Sequence, residues 1–169
     1  MTISKETLRR VLVKDNLPQI EKAIKELTGT TVLVGFPATT SMRSGDGKAT
    51  NAMLAYVHDK GSPVRNIPQR EFMRTGLMEG RQRITARMKS TGRAALAGDV
   101  EEVRNGFEAC GLIAQNAIRN KMRVGPFQPL SERTLAARRR RGRSGEVPLN
   151  DTGQLTRALT YIVKSNKGS

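Results

Sequence analysis

Two side chains in this chain are natural candidates for proton transfer or nucleophilic attack, and each occurs once: His58 and Cys110. A general base needs a nucleophile and an orienting partner within hydrogen-bond reach. Asp59 stands next to His58, but adjacent positions do not share a helix face, so His58 reads as a helix-end or turn residue. Cys110 lies in an apolar helical stretch, where a thiol behaves as a small buried hydrophobe. A single cysteine excludes an intrachain disulfide and any CxxC or Cys/His zinc framework. The fifteen Asp and Glu residues contain no DxD, HExxH or DxDxDG spacing. Gly45 and Gly47 make no phosphate cradle, because no strand, loop and helix with a following Lys-Ser/Thr surrounds them. The expectation is a protein that is not an enzyme and uses no metal or cofactor.

The sharpest charged feature is the run Arg138, Arg139, Arg140, Arg141 with Arg143 close behind. Three readings stand side by side. Five guanidiniums can neutralise nucleic-acid phosphates with a steep salt dependence, meet an acidic ring of protein, or form the solvated face of a helix and loop. The run has no interleaved aromatics for base stacking and no recognised readout motif, which makes DNA contact secondary. The net charge of +15 is not confined to one tail. Up to Ser90 there are 16 basic and 8 acidic residues, and beyond it 14 and 7. A spread excess of this kind suits an acidic partner.

These residues need a scaffold, and 169 residues are enough for one domain. The composition is 37% hydrophobic and 4% aromatic, with no Trp. Its core must therefore come from Leu, Ile, Val, Met and Ala, as in a subunit whose surfaces are covered by neighbours or a chain with mobile segments. The start MTISKETLRR lacks the apolar centre of a signal peptide, and no run is long enough for a membrane span. Assembly in a reducing cytoplasm is the expectation.

Along the chain, Leu8, Val11 and Leu12 suggest a short helix. A second follows Pro18, capped by Asn16 and stopped at Gly29, with Leu17, Ile20, Ile24 and Leu27 as its apolar stripe. Thr30–Phe36 is the clearest strand, both faces partly covered, and about 38–49 is a polar, mobile loop. Thr50 or Asn51 caps a helix to Asp59, with Gly61 just past it. SPVRNIPQREF, with two prolines, reads as an extended connector. Glu71 to about Ser90 is helical with Met73, Leu77, Ile84 and Met88 inside, and Thr91–Gly92 ends or kinks it. The strongest helix, about Asp99 to Met122, keeps Val100, Val103, Phe107, Cys110, Ala114, Ala117 and Ile118 on one face. Ser131 caps a basic helix and loop over about 131–147. Asp151 and Gln154 form a capping box before a closing strand, ALTYIVKS, suited to pair with Thr30–Phe36. The fold class is α+β: a small, mostly antiparallel sheet packed by two long helices, with extended loops.

Two stretches together resemble a known family. The first is TTVLVGFP followed by NAMLAYVHDKGSPVRNIPQREFMR, with Val34–Gly35, Tyr56, Gly61, Ile67, Pro68, Arg70 and Phe72 at the matching positions. The second is NAIRNKMRVGPFQPLSERTLAARRRRGRSGEVPLNDTGQLTRALTYIV, with Pro129, Leu130, Ser131, Thr134, Pro148, Leu149, Asp151, Thr152, Gly153 and Leu155. In order and spacing they resemble the neck and tail-completion proteins of tailed bacteriophages, of the Mu-like virion-morphogenesis and lambdoid head–tail joining types. Gln69–Arg70–Glu71 departs from the pattern, which often has a further proline there. The resemblance implies a virion protein that forms a homo-oligomeric ring, sixfold in expectation, stacked on a connector above and a tail-terminator ring or tube below. A terminator that ends tube growth is the alternative, and a basic nucleic-acid-binding protein a second one. Ile67, Pro68, Arg70 and Phe72 serve either to pin a loop internally or to dock a neighbouring subunit. Arg138, Arg139, Arg140, Arg141 and Arg143 are the further candidates for partner contact.

Overall fold

The computed structural model describes residues 16–38 and 50–165. The short helix expected around Leu8 and nearly all of the expected mobile loop, beyond Ala38, lie outside the described residues. In chain order the elements are α1 (Leu17–Thr28), β1 (Thr30–Gly35), α2 (Asn51–Lys60), a 3-10 turn (Pro63–Arg65), α3 (Phe72–Leu96), α4 (Val100–Val124), α5 (Glu132–Arg140), α6 (Gln154–Ala158) and β2 (Thr160–Ser165). The fold is α+β. Strands β1 and β2 pair antiparallel, Thr30 opposite Ser165 and Gly35 opposite Thr160.

Helices α3 and α4 form an antiparallel hairpin, and the sheet and α1 pack on α4. The expected caps Thr50 Oγ1 and Ser131 Oγ, and with them Asp99 Oδ1, accept from the third residue of α2, α5 and α4, satisfying amides a helix start leaves open. Gly61, at φ 78°, ends α2 in a conformation that favours glycine. Asn16 precedes α1 without a side-chain cap bond.

Four expectations need correction. Helix α3 runs without a break through Thr91–Gly92 to Leu96, because Thr91 is buried against Gly106 of α4. Its inner face is built less from Leu77, which is exposed, than from Gly76 and Gly80. A Cβ on Gly76 would stand 2.8 Å from the Ile118 Cα, and one on Gly80 2.9 Å from the Ala117 Cβ. The stripe of α1 holds only in part: Leu27 packs on the core, but Leu17 and Ile24 are exposed, and Ala23 is the fully buried contact. Small residues win in both helices because they let backbones approach closely. Third, Leu33 is 50% exposed opposite Ile162 at 55%, so only the Val32–Val34 face of β1 is covered. Fourth, SPVRNIPQREF is not extended. Ser62 bridges back to Ile67 around the 3-10 turn, with Asn66 left-handed, a conformation asparagine tolerates.

The core divides into two clusters along α4. One gathers Ala23, Ala95, Val103 and Phe107, with Val32 and Val163 from the strands. The other gathers Phe72, Ile118, Met122, Leu149, Leu155 and Leu159.

Candidate functional site

The second cluster has a polar margin, and the residues singled out in the sequence meet there. The connector after α2 folds back so that the Arg70 amide donates to the His58 carbonyl and the Glu71 amide to the Asp59 carbonyl, at 3.1 and 3.0 Å. This places Phe72 inside the core, edge-on to Phe36 at 6.3 Å and 87°. Asp59, itself buried, reaches across so that its Oδ1 accepts from the Met73 amide at 2.9 Å. It caps α3 from another helix and sets a carboxylate at that helix's positive end.

Arg70 is only 9% exposed. Its Nη1 donates to His58 Nδ1 at 2.8 Å. A guanidinium can only donate, so His58 accepts at Nδ1 and carries its ring proton on Nε2. The buried Arg70 Nε has no hydrogen-bond partner. Burial, followed by the charge of Arg138, lowers the affinity of Arg70 for its proton.

Arg138, 6% exposed, holds the loop after α5. Its Nη1 donates to the carbonyls of Gly145 and Val147, the latter at 3.1 Å, and its Nε lies 3.5 Å from Asp151 Oδ1. Arg143 pairs with the other Asp151 oxygen at 2.6 Å. Asp151 therefore does not cap α6, as expected from its spacing to Gln154. Gly153 precedes α6 with no side-chain cap, and the carboxylate is drawn to two arginines instead.

Together His58, Arg70, Thr134, Arg138, Arg141, Asp151 and Thr152 line a partly open cavity of about 200 Å³, floored by Leu54, Leu149 and Leu155. It joins α2, α5 and the segment leading into α6. A second hollow of about 470 Å³, between β1, α3 and α4, is apolar apart from Arg74 and is lined by Val34, Leu77, Ile84 and Cys110.

Of the nine residues expected at partner contacts, Arg70, Phe72 and Arg138 are buried within the chain. For Arg70 and Phe72 this agrees with internal pinning, one of the two roles expected of them, and Arg138 holds the loop that follows its own helix. Ile67, Pro68 and Arg143 are half-buried, and Arg139, Arg140 and Arg141 are exposed. Sequence reasoning missed the roles of His58, Asp59 and Asp151. All three depend on pairings across the fold that no local spacing announces. Among the described residues no group of His, Cys, Asp or Glu is arranged to hold a metal ion, and no helix is long and apolar enough to cross a membrane. Comparison with family models, curated proteins and solved structures finds no match to this chain.

Proposed function

We propose that the protein is a structural, non-enzymatic subunit of a tailed-bacteriophage virion, one copy in a ring at the neck that joins head to tail or completes the tail. The observation that carries this reading is the convergence of the elements behind the family resemblance. The α2 helix with Gly61, the Ile67–Phe72 element, and the Pro148–Leu155 segment surround one core of Ala55, Phe72, Leu149 and Leu155 and one cavity.

The surface supports an assembling subunit. Among the described residues the sheet has two strands, so each strand is an edge with unpaired backbone groups. Its outer face carries the half-exposed pair Leu33 and Ile162, and Tyr56, Val64 and Met78 add further exposed apolar area. A ring is built from heterologous contacts, one face of each copy meeting a different face of the next. Open edges and apolar patches suit that role. Exposed Arg139, Arg140 and Arg141 would face an acidic neighbouring ring.

The test is electron microscopy of a lysate from a phage with an early stop codon in this gene. Filled heads beside separate finished tails are the expected outcome for a joining subunit. Overlong tails would reassign the ring to tail termination. Normal joined particles would sink the neck reading.

A further inference from the structure

We propose that the cavity between α2, α5 and the segment leading into α6 binds one tetrahedral oxyanion of the phosphate type. Nothing in this inference depends on the assembly role. It rests on an imbalance of charge in a built site.

Three guanidiniums, those of Arg70, Arg138 and Arg141, line the cavity with a single carboxylate, Asp151. That carboxylate is already shared between Arg138 and Arg143. No ion pair reaches Arg70 among the described residues; its one side-chain hydrogen bond goes to His58. A buried cation without a counter-ion is costly, and so is a buried donor without an acceptor. Arg70 has both deficits, since its Nε is buried and unpartnered. An oxyanion in the cavity supplies the missing counter-charge to the guanidinium that lines it, while the Nε itself stays enclosed by the chain.

The remaining lining suits the same ligand. Thr152 Oγ1 accepts from the Gln154 amide at 3.4 Å, which leaves its hydroxyl proton to donate. Arg141 is exposed and lines the cavity, and among the described residues its guanidinium bonds only to the Ala137 carbonyl at 3.1 Å, which suits it as the entry-side cation. A volume of about 200 Å³ lies below the roughly 300–1,000 Å³ of sites for drug-sized ligands, and fits a small ion. A dianion matches the excess of guanidiniums better than a carboxylate, which carries one charge. Guanidinium–phosphate hydrogen bonds are also among the stronger ones.

The probe is inorganic phosphate, titrated into the full chain at constant ionic strength and followed by calorimetry and by the Arg70 Nε–H resonance. One saturable site per chain and a shifted Arg70 resonance are expected. Arg141→Ala, a change at the mouth, should weaken binding about tenfold. Arg139→Ala, outside the cavity, should leave it unchanged. Arg70→Gln is the direct test, and if that variant does not fold, the resonance shift and Arg141→Ala still decide. No saturable uptake, equal losses in Arg139→Ala and Arg141→Ala, or acetate binding as tightly as phosphate would overturn the proposal. A short oligonucleotide with and without a 5′-phosphate separates the sources. A phosphate-dependent gain in affinity supports the site with a nucleic-acid end as its ligand, and equal weak binding supports it with free phosphate.

Discussion

The two ends of α4 are packed by different means. At the N-terminal end, Val103 and Phe107 meet Ala23, Ala95 and the inner strand residues, and Gly106 lies directly under Thr91. Every partner there belongs to a helix or to the β1–β2 pair, in which the backbone bonds to its own turn or to the neighbouring strand. Even the buried Thr91 hydroxyl donates to the Arg87 carbonyl one turn back, at 2.9 Å. At the C-terminal end, Ile118 and Met122 are covered partly by irregular chain, including Leu149 and the short α6. Irregular backbone brings carbonyls with no ladder to satisfy them, and long polar side chains supply the donors. Gln115 Nε2 and Arg119 Nη2 both donate to the Leu159 carbonyl at 2.8 Å, while Arg138 serves Gly145 and Val147. The core of one end is made by shape, with the Arg104–Glu26 and Arg87–Glu102 ion pairs at its margin; the other needs shape and imported hydrogen bonds.

The largest effect should come from Phe72→Ala, which empties the centre of the loop-covered end. Removing a wholly buried Phe costs about 3–5 kcal/mol, much of the stability of a typical domain. A lowered urea midpoint is expected, with amides of 147–159 losing exchange protection before those of 103–110. Simultaneous loss at both ends would mean that the clusters unfold as one. At the other end Gly106→Val drives new carbons into Thr91 and should cost about 2–3 kcal/mol. Adding Thr91→Ala should recover part of that loss, since the two sites share one contact. Strict additivity would break the claim that shape governs the core of this end. Arg138→Met should cost about 1–3 kcal/mol by taking the donor from the part-buried Gly145 and Val147 carbonyls and the partner from Asp151. Exchange should quicken at 143–151 while the Gly106 end stays protected.

The same contrast explains how much could be read from the sequence. The apolar face from Val103 to Ile118, the pairing of Thr30–Gly35 with the closing strand, and the caps at Thr50 and Ser131 are local or periodic signals, and all were legible. The glycine face of α3 was present as Gly76 and Gly80 at helical spacing, but small residues do not register as a hydrophobic stripe. The cavity was legible only in pieces. Arg138 looked like one of five equivalent arginines, and its burial follows from where the Gly145–Val147 carbonyls return. Asp151 satisfied the spacing of a capping box, yet Arg138 and Arg143 offer a carboxylate more than the first turn of a five-residue helix does. Neither outcome is encoded in nearest-neighbour chemistry.

The smallest effect concerns Cys110, which sits on α4 between the two ends. Its Sγ lies 3.9 Å from the Ile84 carbonyl as a weak donor. Burial raises its pKa, against a smaller opposing pull from the charge of Arg87. The folded chain therefore keeps this proton at pH values where the unfolded chain releases it. The thiol's contribution to stability is fully present below the ordinary thiol range, and declines as pH rises through that range toward the folded pKa. Subtracting the pH–stability curve of Cys110→Ala from that of the parent should isolate this alkaline decline from the lysine background. Iodoacetamide should alkylate the folded chain more slowly than the urea-unfolded chain, with the gap narrowing as pH climbs. Equal rates in the two states would mean that the middle of α4 opens readily. The two clusters would then be separate units joined by a helix, rather than two ends of one rigid packing surface.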